Sequence, residues 1–286
     1  MAFPAVNQMI KIGLTIQEFR GFPVSTWIRM GNVVGLPHIE FDLSAFDDID
    51  AALPHLRSTT TFHAPYFSDY GFDLSSVGSR AADAERYIRN LRSYQEKLRI
   101  RGIVVHPPDD PDGNYETYLN RLASIPQPIH LENMPNQSWD DFLDLHQDVG
   151  SKLARHVGFC FDAPHSFITN GVKFLELPDV LLEELMSDRG YIHISGGNQD
   201  EDTHLPLNQG SLPLEQFEQF VRRIRFHGIL VMELRPRTID DFAGIFDSFI
   251  RMTKFIPWRQ RFRMRVRIAI GSRVIMRKVR QLLAEQ

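Results

Sequence analysis

Residues 157–165 read VGFCFDAPH, an apolar, aromatic-rich run that stops on Asp162, turns through Pro164 and places His165 three positions on. A short apolar run closed by a turn former predicts a buried strand, here with a carboxylate at its C-terminal end. Five more runs end on a side chain able to bind a metal: TTTFHA at His63, IVVH at His106, IHLE at Glu132, YIHIS at His193 and LVMELR at Glu233. In chain order the six residues stand 43, 26, 30, 31 and 40 positions apart, each gap near the roughly 30 residues of a strand, helix and strand. Parallel strands wound into a closed barrel bring all their C-terminal ends to one face, so ligands that recur once per repeat meet in one pocket.

The same reading gives eight strands: 9–14, 38–43, 59–64, 100–106, 128–132, 157–162, 191–195 and 229–234. Helical patterns lie between them, clearest over 79–98, 139–149, 172–186, 214–226 and 240–253. Strand and helix alternate from end to end, which predicts an α/β fold, the (β/α)8 TIM barrel. At 286 residues the chain exceeds the roughly 250 typical of such a barrel, leaving one domain over 1–254 and a helical extension over 255–286. No stretch approaches the ~20 apolar residues of a membrane span, and the first residues carry no signal-peptide pattern, so a cytoplasmic location is expected. The single Cys160, inside a strand, reads as a small core residue and gives no support to disulfide or redox chemistry.

Charge divides the chain. Residues 1–250 hold 21 Lys and Arg against 35 Asp and Glu, whereas 251–286 hold 11 against Glu285 alone. An acidic body repels duplex DNA, which rewards neutralised phosphates, and so weighs against a general DNA-binding role. From Phe255 to Leu283 the series Trp258, Phe262, Val266, Ile270, Val274 advances by four among many arginines, predicting a basic amphipathic helix. Its possible tasks are to contact an anionic membrane or nucleic acid, or to seal the barrel with the apolar stripe while its arginines pair with the acidic body.

Beyond the strand ends, the loop Asp202-Thr203-His204 adds two more candidates, and with His165 they make nine: His63, His106, Glu132, Asp162, His165, His193, Asp202, His204 and Glu233. Imidazoles suit zinc, iron or manganese, and shared carboxylates let ions sit a few ångströms apart, an arrangement that activates water and neutralises phosphate. Strand parity puts His130 on the face of Glu132, and Tyr191 and Ser195 on that of His193, lining the barrel beneath. His130 has a second reading, a hydrogen-bonded interior histidine.

The order of HAPY (63–66), VVHPP (104–108), LENMPNQ (131–137), FDAPH (161–165), IHIS (192–195), DTHLPLNQG (202–210) and MELRP (232–236) resembles endonuclease IV, within the xylose isomerase-like barrel superfamily. The resemblance implies three metals, held by His63, His106 and Glu132; by Glu132, Asp162, His193 and Glu233; and by His165, Asp202 and His204. Glu132 would bridge the first two and is the candidate catalytic residue. Tyr66, Phe67, Asn133 and His130 are candidate substrate contacts. The family's glycine-rich stretch after the Asp-His pair is here Leu205 to Gly210 with one glycine, so the rim is remodelled. The expectation is a phosphoester hydrolase carrying two or three divalent ions, zinc first with manganese or iron as alternatives. Its substrate would be abasic-site nucleic acid or a small phosphorylated metabolite. The rivals are a sugar isomerase or epimerase with one ion and an iron-dependent oxygenase on the same ligands.

Overall fold

The computed structural model describes residues 10–16 and 22–284. Eight parallel strands close into a barrel in sequence order, with β1 (Lys11–Ile16) bonded to both β2 (His38–Phe41) and β8 (Ile229–Met232). Between these lie β3 (Thr59–His63), β4 (Ile100–Val105), β5 (Ile129–Glu132), β6 (Val157–Asp162) and β7 (Tyr191–Ile194). The helices, in chain order, are α1 (Val24–Val34), α2 (Ile49–Ala52), α3 (Phe67–Tyr70), α4 (Ala81–Tyr94), α5 (Tyr115–Ala123), α6 (Trp139–Leu153), α7 (Ala163–Asn170), α8 (Asp179–Leu185), α9 (Leu214–Arg223), α10 (Ile239–Met252) and α11 (Trp258–Ala284). This is the expected (β/α)8 barrel with a C-terminal helix.

Period-two alternation divides each strand between two cores. In β6, Phe159 and Phe161 face the helices, their rings 5.2 and 5.9 Å from those of Phe142 and Phe220. Cys160 faces the lumen instead, in a cluster with Val104, Tyr191 and Val231. The interior His130 needs glycine neighbours. A Cβ on Gly158 would stand 2.8 Å from the Nδ1 of His130, and one on Gly102 3.0 Å from its Nε2. Burial lowers the pKa of His130 to about 4, keeping it neutral. Its Nδ1 has no hydrogen-bond partner, so this ring is held by packing between glycines and against Tyr191, 5.1 Å away, rather than by the expected hydrogen bonds.

Three local expectations change. The segment 172–186 is not one helix: a 3-10 turn over Gly171–Lys173 gives way to an irregular stretch, and α8 starts only after Pro178, because the residue before a proline is pushed out of the helical region. The turn expected after Asp162 is the start of a helix, α7, which accepts Pro164 in its first turn, where no N–H bond is lost. The first strand runs two residues later than expected, and Met9 lies outside the described residues.

α11 packs on α1 and α10 through Ile268, Gly271, Ile275 and Val279, all buried. The period-four stripe, for which sealing the barrel is one of the two readings, is on the opposite side and exposed. Two apolar series wind round this helix, and the less regular one is docked. Among the described residues no helix is long and apolar enough to cross a membrane.

Candidate metal centre

All nine candidate ligands gather at the C-terminal mouth of the barrel. His63, Glu132 and Asp162 close β3, β5 and β6, His106 and Glu233 follow β4 and β8 directly, and His193 is the third residue of β7. Glu132 is central and fully buried. Its Oε2 stands 3.2 Å from His63 Nε2 and 3.0 Å from His106 Nε2, while its Oε1 stands 2.8 Å from His193 Nδ1. That same His193 nitrogen lies 3.3 Å from Glu233 Oε2. A second knot forms around Asp202, whose Oδ2 is 3.0 Å from His165 Nε2 and 2.9 Å from His204 Nε2. His204 Nδ1 reaches to within 3.7 Å of Glu233 Oε1 and ties the two knots together.

Local structure aims these groups. Asp162 caps α7 by accepting the backbone N–H of His165 at 2.6 Å. Asn133 clamps β6 to β5, taking the N–H of Asp162 at 2.9 Å and giving its amide to the Asp162 carbonyl at 3.0 Å. The Asn133 carbonyl accepts His165 Nδ1–H at 2.8 Å, which turns the ring's Nε2 toward Asp202. His204 adopts φ 48°, the left-handed region that a non-glycine residue enters at an energetic cost. Its carbonyl is pinned by the backbone N–H of Arg235 at 2.8 Å.

The site also uses a residue the sequence reading overlooked. Glu40, wholly buried in β2, accepts from Tyr191 OH at 2.6 Å and Thr15 Oγ1 at 2.9 Å, and its Oε2 is 3.1 Å from His193 Nε2. His193 is therefore gripped on one nitrogen by Glu40 and presents the other to Glu132 and Glu233. The available signal was parity: Glu40 shares its strand face with His38, between outward Ile39 and Phe41.

Electrostatics follow from crowding. Burial alone would strip His63 of its proton, but the Glu132 hydrogen bond and the charges of Glu233 and Glu40 prevail and raise its pKa to about 9. Against burial, His193 is raised by Cys160, Glu40 and Glu132, and His165 by Asp162 and Asp202. His106 goes down, because burial and the charged His63 beside it outweigh Glu132. Asp162 is pushed up to about 7, chiefly by burial. For Glu132 and Asp202 burial works upward, yet the surrounding histidines hold both carboxyls low.

The donor set fits divalent cations. Ligand atoms of His63, Glu132, His193 and Glu233 lie within 4.8 Å of one another, as do those of Glu132, Asp162 and His165. Two buried atoms at the edge, His106 Nδ1 and Asp202 Oδ1, lack a partner. Among the described residues lining the pocket only Arg235 carries a permanent positive charge, and it is paired with Asp69 at 2.9 Å. The cavity above holds about 230 Å³ and is bordered by Asp42, Tyr66, Ser68, Tyr70, Met134 and Arg235. Of the candidate substrate contacts, Tyr66 lines it, its ring 5.0 Å from that of His106. Phe67 lies instead under the Arg80 guanidinium, Asn133 is spent on the β5–β6 clamp, and His130 is packed deeper in the lumen.

The profile of the xylose isomerase-like TIM barrel family matches residues 30–251. The chain belongs to that family. An uncharacterized protein of Methanocaldococcus jannaschii is 25% identical over 210 residues, covering 66% of this chain and 75% of its own. Among solved structures of this architecture, a D-tagatose 3-epimerase-like protein superposes with a TM-score of 0.60 at 17% identity, over 86% of this chain and 97% of its own. AP endonuclease, family 2 from Brucella melitensis does so with 0.57 at 14% identity, over 83% and 97%. At these identities the two structures share the fold with this chain. Structures with this fold thus include an epimerase-like protein and an AP endonuclease, and the shared fold does not choose between their activities.

Proposed function

We propose that this barrel is a metal-dependent hydrolase of phosphoester bonds with two or three ions per chain, acting on a small phosphorylated molecule. The observation that carries the reading is the double orientation of Glu132, with one oxygen toward His63 and His106 and the other toward His193. A carboxylate placed that way suits a bridge between two ions, and the separate knot of His165, Asp202 and His204 offers a third position. Bound there, the ions would supply Lewis acidity toward phosphate oxygens and a nucleophilic water at neutral pH. Glu40 fixes His193, and Asn133 fixes His165, so neither ring has to reorient during turnover. Arg235, at the cavity edge, is placed to meet an anionic group, and Tyr66 offers a flat wall.

Two features support a small substrate over DNA: a cavity of about 230 Å³, and a body that carries 35 acidic against 21 basic residues. The test is hydrolysis of phosphomonoesters and of abasic-site oligonucleotide by protein purified without chelator, compared with Glu132→Gln. Phosphate release from small esters, lost in the variant, supports the reading. Cleavage of abasic DNA alone would move the substrate to nucleic acid.

A second reading, sugar isomerase or epimerase, is favoured by one arrangement. Glu132 and Glu233 flank the same His193 nitrogen at 2.8 and 3.3 Å, and two such carboxylates can move a proton beside a carbonyl. That chemistry would leave the His165, Asp202 and His204 group without a metal task.

A further inference from the structure

The outward face of α11 takes no part in the fold or in the pocket. Among the described residues nine large hydrophobic side chains are exposed, and five of them, Trp258, Phe262, Val266, Ile270 and Val274, lie on this helix. Four of the five are more than 60% exposed. From Trp258 to Val274 the stripe extends about 24 Å along the helix, at roughly 1.5 Å per residue. Residues 258–284 contain eight arginines, Lys278 and no acidic side chain.

The arginines have two destinations. Arg261 donates to the carbonyls of Thr253, Lys254 and Ile256, and Arg265 to Thr253 Oγ1 and the Ile250 carbonyl, so these two fasten the helix to the end of α10. Arg259, Arg263, Arg273 and Arg277 are exposed, and helical geometry puts them on the same half of the cylinder as the stripe. Among the described residues none of the four is paired with a carboxylate; the Arg259 guanidinium sits over the Trp258 ring, 5.5 Å from its centre. Among the described residues none of these six arginines forms an ion pair with the acidic body.

We propose that this face is a docking surface for an anionic lipid membrane. A helix lying in the interface plane sinks its apolar side chains between headgroups while long cations reach lipid phosphates, and an indole is well suited to that depth. Nucleic acid fits less well. Its bases reward stacking, whereas Val266, Ile270 and Val274 have no ring to stack and would be set against phosphates. A second copy meeting this face through a two-fold axis would bring Arg259, Arg263, Arg273 and Arg277 against the same four. The body, with 35 acidic against 21 basic residues, is net negative and is repelled by an anionic bilayer as a whole, which favours approach through this helix. No residue of α11 lines the pocket, so docking leaves its mouth open.

The test uses the full-length protein and vesicles of phosphatidylcholine alone or of equal parts phosphatidylcholine and phosphatidylglycerol, followed by co-sedimentation and tryptophan emission. Trp27 is buried and Trp139 partly so, whereas Trp258 is 70% exposed, so a blue shift on binding reports mainly on the stripe. Expected are binding to the anionic vesicles, weakening as salt rises, and at least ~10-fold less on neutral ones. Two variants separate the contributions, each with an unchanged melting temperature because the side chains altered are exposed. Replacing Arg259, Arg263, Arg273 and Arg277 with Gln should weaken binding at least ~10-fold, and replacing Trp258, Phe262 and Ile270 with Ser should abolish the blue shift. The proposal is overturned by equal binding to both vesicles or by none to the anionic ones at low salt. It is also overturned by tighter binding to an oligonucleotide, or by a dimer that the Ser variant dissolves.

Discussion

Glu132→Gln tests the electrostatic core of the site in metal-free protein. In the folded chain the pKa of His63 rises from 6.5 to about 9 through the Glu132 hydrogen bond and the nearby charges of Glu233 and Glu40, against the opposing effect of burial. At roughly 1.4 kcal/mol per tenfold, this is about 3 kcal/mol of folding stability. Because the folded value is raised, the contribution is complete below pH 6.5 and is lost as pH climbs through 9. The amide keeps the shape but withdraws the charge, so the variant lacks most of that contribution at every pH. Chelated wild type should melt above chelated Glu132→Gln by up to ~6 °C near pH 6, taking ~2 °C per kcal/mol for a chain of this length, with the gap closing toward pH 9.5. Thermal melts by circular dichroism across that range provide the assay. A gap that stays constant or widens as pH rises would refute the assignment of Glu132 as the partner that holds the His63 proton.

Three further outcomes follow from the same geometry. Metal uptake by chelated protein should release protons, because His63, His165 and His193 hold theirs only while carboxylates face them. Titration in two buffers of different ionisation enthalpy would show it, and metal affinity should rise with pH up to about 9. Glu40→Gln should weaken metal binding ~10- to 100-fold, as loss of a carboxylate behind a ligating imidazole does, read by competition with a chromophoric chelator. Asn133→Ala should lower the melting temperature and also loosen the His165, Asp202 and His204 knot, so that the most weakly held metal equivalent is lost first on dialysis.

The barrel was legible because its signals are local and repeated: each strand is a short apolar run, and each run ends at the same mouth. What escaped depended on contacts across the fold. Glu40 looked like any carboxylate in a strand, since its importance comes from Tyr191, Thr15 and His193 converging on it from two other strands. α7 is not among the helices its periodicity announces, being short and carrying Pro164 in a first turn that Asp162 caps. On α11 periodicity found a helix and a stripe but could not say which stripe meets the body. Met264, Ile268, Gly271, Ile275 and Val279 make the inward line, and a glycine in the middle hides it from a hydrophobicity count. That glycine is required by proximity, as a Cβ there would stand 2.5 Å from Val33.

The central claim is a site for more than one metal ion, and the most direct measurement is elemental analysis of the chain purified without chelator or added metal. The account predicts two or three equivalents of divalent transition metal per chain, falling when Glu132 is replaced by Gln and again when Asp202 is replaced by Asn. A single equivalent at full occupancy, unchanged by Asp202→Asn, would contradict it and leave the mononuclear isomerase reading in its place.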